Sequence, residues 1–263
     1  EGPHQLRIGL RRLRSAFSVY SPVLTSPEMD RLSREAKWLG QEVGRLRDLD
    51  VVAKDIVGRE ARLNPDEPGL SALAEALAQQ AAQQREHVRT LLVSPRAQSF
   101  LIALARFEET RGWLVAEDFE QTERLAMPAL RLSRRSLKKC WKKVDRLAQH
   151  LEQLNAEQRH ELRKELKKLR YATEFFSPIY SAKQVRKFLK SLKMLQAVFG
   201  DLNDAVTVKA IMAEETNRLD GRDAGVQRAI GWVIGASQTR AEFGWNMAKD
   251  LWRDLDQARP FWK

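Results

Sequence analysis

Apolar residues along the chain recur mostly at intervals of three and four, and runs that alternate every second residue are scarce. Residues three and four apart share one face of an α-helix, whereas strand faces repeat every two, so the pattern reads as helical throughout. The spacing predicts helices over residues 4–20, 28–60, 70–92, 96–111, 122–150, 156–176, 182–216 and 222–257. Breakers separate them: "SPVLTSPE", "LNPDEPG", "VSPR", "SPIYSA" and "LDGRDAG", all rich in Pro, Gly, Ser and Asp. Asn155 and Gln158 have the spacing of a capping box for the helix that follows. Gly44 and Gly200 fall inside helical patterns at a cost of about 1 kcal/mol each relative to Ala, and are expected to let helices pack closely. The expected fold class is all-α.

The same pattern occurs twice. "HQLRIGLRRLR" begins at His4 and "HELRKELKKLR" at His160, an offset of 156 residues. His4, Leu6, Arg7, Leu10, Leu13 and Arg14 recur unchanged, while Arg11 and Arg12 become Lys167 and Lys168. Without a gap, "YSPV" falls on "FSPI", Lys37 on Lys193, and "GRLRD" on "GDLND". Two copies of one helical unit are expected, with "GWLVAEDFEQ" (112–121) as the junction between the halves. A basic helix at 131–150 precedes the second copy. Its counterpart would lie before residue 1, so the expectation is that the chain begins inside a longer protein, the alternative being a true asymmetry with helix 96–111 in that place.

Charge narrows the class of partner. The 263 residues carry a net charge of +11, which favours nucleic acid, lipid headgroups or phosphates. The excess is local: residues 131–170 hold 14 Lys and Arg against 5 Asp and Glu, whereas 63–130 hold 6 against 10. Cys140 is the only cysteine, which excludes an internal disulfide and fits a reducing compartment. No apolar run approaches the roughly 20 residues of a membrane span. No phosphate-binding glycine loop, nucleophile elbow or H-E-x-x-H pair occurs. No cofactor, metal ligand set or catalytic residue is expected.

At about 100° per residue, His4, Arg7, Arg11 and Arg14 share one helix face over about 15 Å, and Leu6, Leu10, Leu13 and Phe17 share another. His160, Arg163, Lys167 and Arg170 repeat the basic row. Arg131, Arg135, Lys138 and Lys142 form a third, opposite Leu130, Leu137, Trp141, Val144 and Leu151. Such rows suit an extended chain of phosphates better than a single one. Arg offers a planar fork to two oxygens and Lys a compact charge, and a bound anion would favour the imidazolium form of His4 and His160. Tyr171 and Cys140 read as packing residues.

The four motifs "HQLRIGLRRLR", "LGQEVGRLRDLDVV", "HELRKELKKLRYATEFF" and "LQAVFGDLNDAV", with the closing "PFW", resemble the CHAD family, the histidine-bearing α-helical domain. The resemblance spans nearly the whole chain. It implies two four-helix bundles related by a pseudo-twofold axis, here residues 1–115 and 116–263, with basic helices facing a central groove. It also implies non-catalytic binding of long-chain inorganic polyphosphate and a cytoplasmic location, with association to polyphosphate granules. The implied binding residues are His4, Arg7, Arg11, Arg14, His160, Arg163, Lys167 and Arg170, and more loosely Arg131, Arg135, Lys138, Lys142, Lys37 and Lys193. Such domains often follow a CYTH-type triphosphatase domain marked by E-x-E-x-K, a motif this chain lacks. The alternatives are an accessory role to such an upstream domain and a nucleic-acid-binding module. Against the latter, the basic rows carry no interleaved aromatics for base stacking.

Overall fold

A computed structural model describes residues 2–218, 223–258 and 260–262. The described residues form helices and turns and no strand: α1 (Gly2–Tyr20), α2 (Pro27–Asp50), α3 (Gly58–Leu63), α4 (Pro68–Leu92), α5 (Pro95–Glu109), α6 (Phe119–Leu125), α7 (Ala129–Ala148), α8 (Ala156–Phe176), α9 (Ala182–Arg218), α10 (Ala224–Asn246) and α11 (Ala248–Gln257). The fold class is all-α. No described helix is long and apolar enough to cross a membrane.

Local chemistry explains most of the boundaries. Asn155 accepts from the Gln158 N–H at 2.9 Å while the Gln158 side chain accepts from the Asn155 N–H, the reciprocal capping box expected for α8. Ser94 caps α5 ahead of Pro95, and Asp223 caps α10.

Three expected helices are interrupted. Residues 122–150 split into α6 and α7 at Pro128, which has no N–H to donate and holds extended backbone. Residues 28–60 contain a π-helical segment, Val51–Val57, where the Gly58 N–H reaches back five residues to the Ala53 carbonyl. Residues 222–257 break at Met247, whose N–H bonds the Gly244 carbonyl three residues back; Arg222 and most of the "LDGRDAG" breaker lie outside the described residues. Gly200 does not serve close packing, since a Cβ there would meet nothing within 4 Å.

The helices gather into two compact units. The first takes residues up to His4 with 41–92 and 197–247; the second takes 5–40, 93–196 and the residues from Ala248 onward. The division differs from an expected split between residues 115 and 116, because the long helices α2 and α9 each give their early residues to one core and their later residues to the other. The cuts after Gly40 and after Gln196 are related by the same 156-residue offset that relates His4 to His160.

In the first unit, the π-helical segment, α4, α9 and α10 bury Val52, Val57, Leu70, Leu73, Leu77, Val208, Met212 and Val233 completely. Each such side chain stabilises the fold by about 1.5–3 kcal/mol. A Cβ at Gly69 would overlap the Gly225 carbonyl, so glycine is required where the starts of α4 and α10 meet.

In the second unit α7 packs along α8. Leu137, Val144, Leu162, Leu166 and Leu169 are buried, whereas Leu130 on the expected apolar face of α7 is 42% exposed. The closing Phe261 and Trp262 pack on Phe188, and Trp141 stacks on Trp252 with ring centres 5.5 Å apart. The segment 112–121, expected to join two halves, is held inside this unit: the buried Gln121 side chain donates to the Thr25 and Trp113 carbonyls and accepts from the Val115 N–H.

Candidate functional site

The second unit places α1 and α8 in direct contact through their basic faces. Arg11 Nε donates to the Tyr171 hydroxyl at 2.7 Å, and Arg12 donates to the Glu174 carboxylate at 2.7 Å. Glu174 also lies 3.6 Å from Arg170 Nε, and the Arg170 guanidinium sits 4.9 Å from the centre of the Tyr171 ring. Two stretches separated by some 160 residues therefore meet where their cations are densest.

Lys167 reports the electrostatics of this contact. Burial first, and then the positive charges of Arg163, Arg11, Arg7 and Arg170, push its ammonium down to a pKa of about 7. Five of the expected binding residues thus converge: Arg7, Arg11, Arg163, Lys167 and Arg170. Each of them is half-buried. His160, one turn earlier on α8, has its imidazolium disfavoured by partial desolvation and then by Lys164 and Arg163, with Lys167 adding to the effect. Arg14 lies on α1 with Arg7 and Arg11 and is exposed.

The remaining candidates fall elsewhere. Arg131, Arg135, Lys138 and Lys142 are exposed on α7, and among the described residues no carboxylate pairs with them. Asp145, the only acid on that helix, accepts instead from Gln149. Lys37 on α2 and Lys193 on α9 are exposed and enter none of the contacts that tie α1 to α8. His4 belongs to the first unit, and its buried Nδ1 has no hydrogen-bond partner among the described residues.

Aligned at the 156-residue offset, the two basic stretches separate cations held by a carboxylate from cations that are not. Arg12 and its repeat partner Lys168 are each held by a carboxylate, Lys168 by the buried Glu165 at 2.6 Å. The adjacent pair, Arg11 and Lys167, has no such partner among the described residues. Burial, and then Glu165, raises the Cys140 thiol to about 11, which fits a packing residue.

Tyr171 is more than a packing residue. Its ring is 1% exposed, yet its hydroxyl anchors Arg11. Glu174 was likewise not indicated by helix-face spacing. The available signal was their departure from the repeat: Tyr171 falls opposite Ser15 and Glu174 opposite Ser18.

Among the described residues, no three His, Cys, Asp or Glu side chains gather as a metal site. The arrangement is equipped to hold oxygen-rich anions by charge and by guanidinium forks.

Comparison with known proteins identifies the family. The family model of the CHAD domain matches residues 1–213. A crystal structure of the CHAD domain from the plant Ricinus communis is similar with a TM-score of 0.76 and 28% identity, over 94% of this chain and 81% of that one. Comparison with curated proteins finds no match. With four-fifths of its length matched by the family model and its basic motifs brought together on α1 and α8, the chain belongs to the CHAD domain family.

Proposed function

We propose that this domain binds long-chain inorganic polyphosphate and does not transform it. Arg7, Arg11, Arg14, Arg163, Lys167 and Arg170 form the centre of the site, His160 adds a donor when protonated, and Arg131, Arg135, Lys138 and Lys142 provide a second basic row on α7. His4, Lys37 and Lys193 are outlying contributors.

The observation that carries this reading is Lys167 held among four guanidinium groups. Like charges brought together in a partly desolvated place oppose one another. An anion that bridges the cations adds an attraction to each of them and so offsets that repulsion. A polymer of phosphates suits the site because it presents charge at close intervals, matching rows whose cations recur along helices over tens of ångströms at most.

Calorimetric titration with long-chain polyphosphate, tripolyphosphate, double-stranded DNA and RNA at one salt concentration tests the proposal. Long-chain polyphosphate is expected to bind most tightly, with affinity falling as salt rises because bound counterions are released. No phosphate release from tripolyphosphate is expected with magnesium or manganese. Tighter binding of either nucleic acid, or turnover that tracks the folded domain through purification, would overturn the reading.

A further inference from the structure

We propose that Tyr171 is a positioning residue for anion binding: its hydroxyl grips Arg11 by Nε and leaves the charge and terminal N–H groups of that guanidinium to the ligand. The inference rests on the polyphosphate reading above and adds a residue that touches no phosphate.

A guanidinium has five N–H groups, one on Nε and four on the terminal nitrogens. The 2.7 Å bond from Arg11 Nε to Tyr171 uses the single one. The terminal pair is the fork that meets two oxygens of a phosphate. Among the described residues Arg11 has no carboxylate partner to neutralise it. The choice of acceptor matters here. A carboxylate in place of the phenol would orient Arg11 equally well, but it would cancel the charge the ligand needs and would itself repel phosphate. A phenol is neutral at neutral pH and orients without cancelling.

The neighbouring cations show the contrast. Arg12, one residue on, is bound by Glu174, and Lys168 by Glu165. Those carboxylates remove charge at positions 12 and 168, while Tyr171 preserves it at position 11.

The phenol is also well fixed. Tyr171 is 1% exposed, its ring stacks on Phe175 with centres 6.4 Å apart, and the Arg170 guanidinium covers it at 4.9 Å. Ser15, its repeat partner, turns its hydroxyl to the Arg11 carbonyl of its own helix and supplies no equivalent.

The test is a double-mutant cycle on the full chain, reading the Kd for long-chain polyphosphate by calorimetry on variants shown to be folded by circular dichroism. Tyr171→Phe keeps the ring and removes the acceptor; Arg11→Lys keeps the charge and removes both the Nε–H and the fork. Each is expected to weaken binding about tenfold, the loss of one charge-assisted hydrogen bond's worth of orientation. The double variant should lose little beyond either single one, because the two act through one contact. Losses that multiply would mean that Tyr171 acts only through general packing, and the inference falls. If Tyr171→Phe does not fold, Arg11→Lys decides alone, and wild-type affinity in that variant overturns the proposal. The variant Arg163→Glu with Lys167→Glu separates this from the underlying reading. A wild-type chain that ignores polyphosphate, or binds it equally with that pair reversed, removes the site itself. Binding that the pair reversal destroys and Tyr171→Phe leaves intact removes only the role of Tyr171.

Discussion

Arg12 on α1 and Glu174 on α8 form an ion pair at 2.7 Å across 162 residues of sequence, and Glu174 reaches Arg170 at 3.6 Å as well. One carboxylate thus bridges two cations at the rim of the basic cluster. Its two effects oppose each other. It ties α1 to α8, and it lowers the local potential that attracts an anion. Glu174→Gln should therefore lower the melting temperature, by an amount corresponding to about 1 kcal/mol for a partly exposed pair, while polyphosphate binding stays level or tightens. Thermal melts and titrations on the same preparation check both. Weaker binding by a stably folded variant would show that Glu174 orients the ligand cations.

The depressed ammonium of Lys167 predicts a proton linkage. Its folded pKa of about 7 lies below its ordinary value of 10.5. Between those pH values the unfolded chain holds a proton that the folded chain has released, so this group's contribution to stability rises with pH across that window. Below pH 7 both states are protonated and the repulsion from Arg163, Arg11, Arg7 and Arg170 is felt in full. A bound polyanion restores the charged form. Binding at pH 8.5 should therefore take up nearly one proton through Lys167, and affinity should fall as pH rises above about 7. Titration in buffers of differing ionisation heat measures the uptake directly. Lys167→Arg should abolish it, and uptake that persists in that variant would assign the proton elsewhere. His160, whose imidazolium is disfavoured, contributes a separate uptake below the usual histidine range.

The apolar face of α1 is unevenly buried. Leu10 is 5% exposed, whereas Leu13 and Phe17 are half-exposed and line a groove of about 230 Å³ with Phe107 and Trp113. Leu10→Ala should destabilise the chain by about 2–4 kcal/mol, since removal leaves a cavity in packed surroundings. Leu13→Ala should cost about 1 kcal/mol, because part of its surface already meets water. Denaturant titrations distinguish the two, and equal losses would contradict the partial burial of Leu13.

Helix positions were readable because apolar spacing and caps such as Asn155 are local. Pro128 also carried its signal openly, as a proline inside an otherwise continuous pattern. The π-helical segment did not: a shift from four-residue to five-residue hydrogen bonding at Val51–Val57 leaves the apolar spacing nearly intact. At the site, spacing showed which cations share a face but not which faces meet. The convergence of Arg7 and Arg11 with Lys167 depends on how α1 and α8 pack, and no single-helix pattern contains that information. The same limit hid Tyr171 and Glu174, whose partners lie on the other helix.

Charge reversal tests whether the two basic rows act as one site. Arg7→Glu with Arg11→Glu changes α1 alone, and Arg163→Glu with Lys167→Glu changes α8 alone. If both rows grip one polyphosphate chain, each double variant should weaken binding more than the roughly 1.5–3 kcal/mol of a single charged hydrogen bond, because repulsion is added as donors are lost. Pyrophosphate, which spans fewer cations, should respond less evenly to the two changes. The control must alter net charge by the same amount without breaking structure. Arg85 is unsuitable, since it donates to Asp50 at 3.0 Å. Arg89 and Arg253 are exposed and, among the described residues, pair only with Glu86 and Asp250 on their own helices, so Arg89→Glu with Arg253→Glu serves. At moderate salt that control should cost little, because salt screens exposed charges that do not touch the ligand. A control that weakens binding as much as either row would mean that the domain attracts polyphosphate by its overall charge, and that the meeting of α1 with α8 has no special part in it.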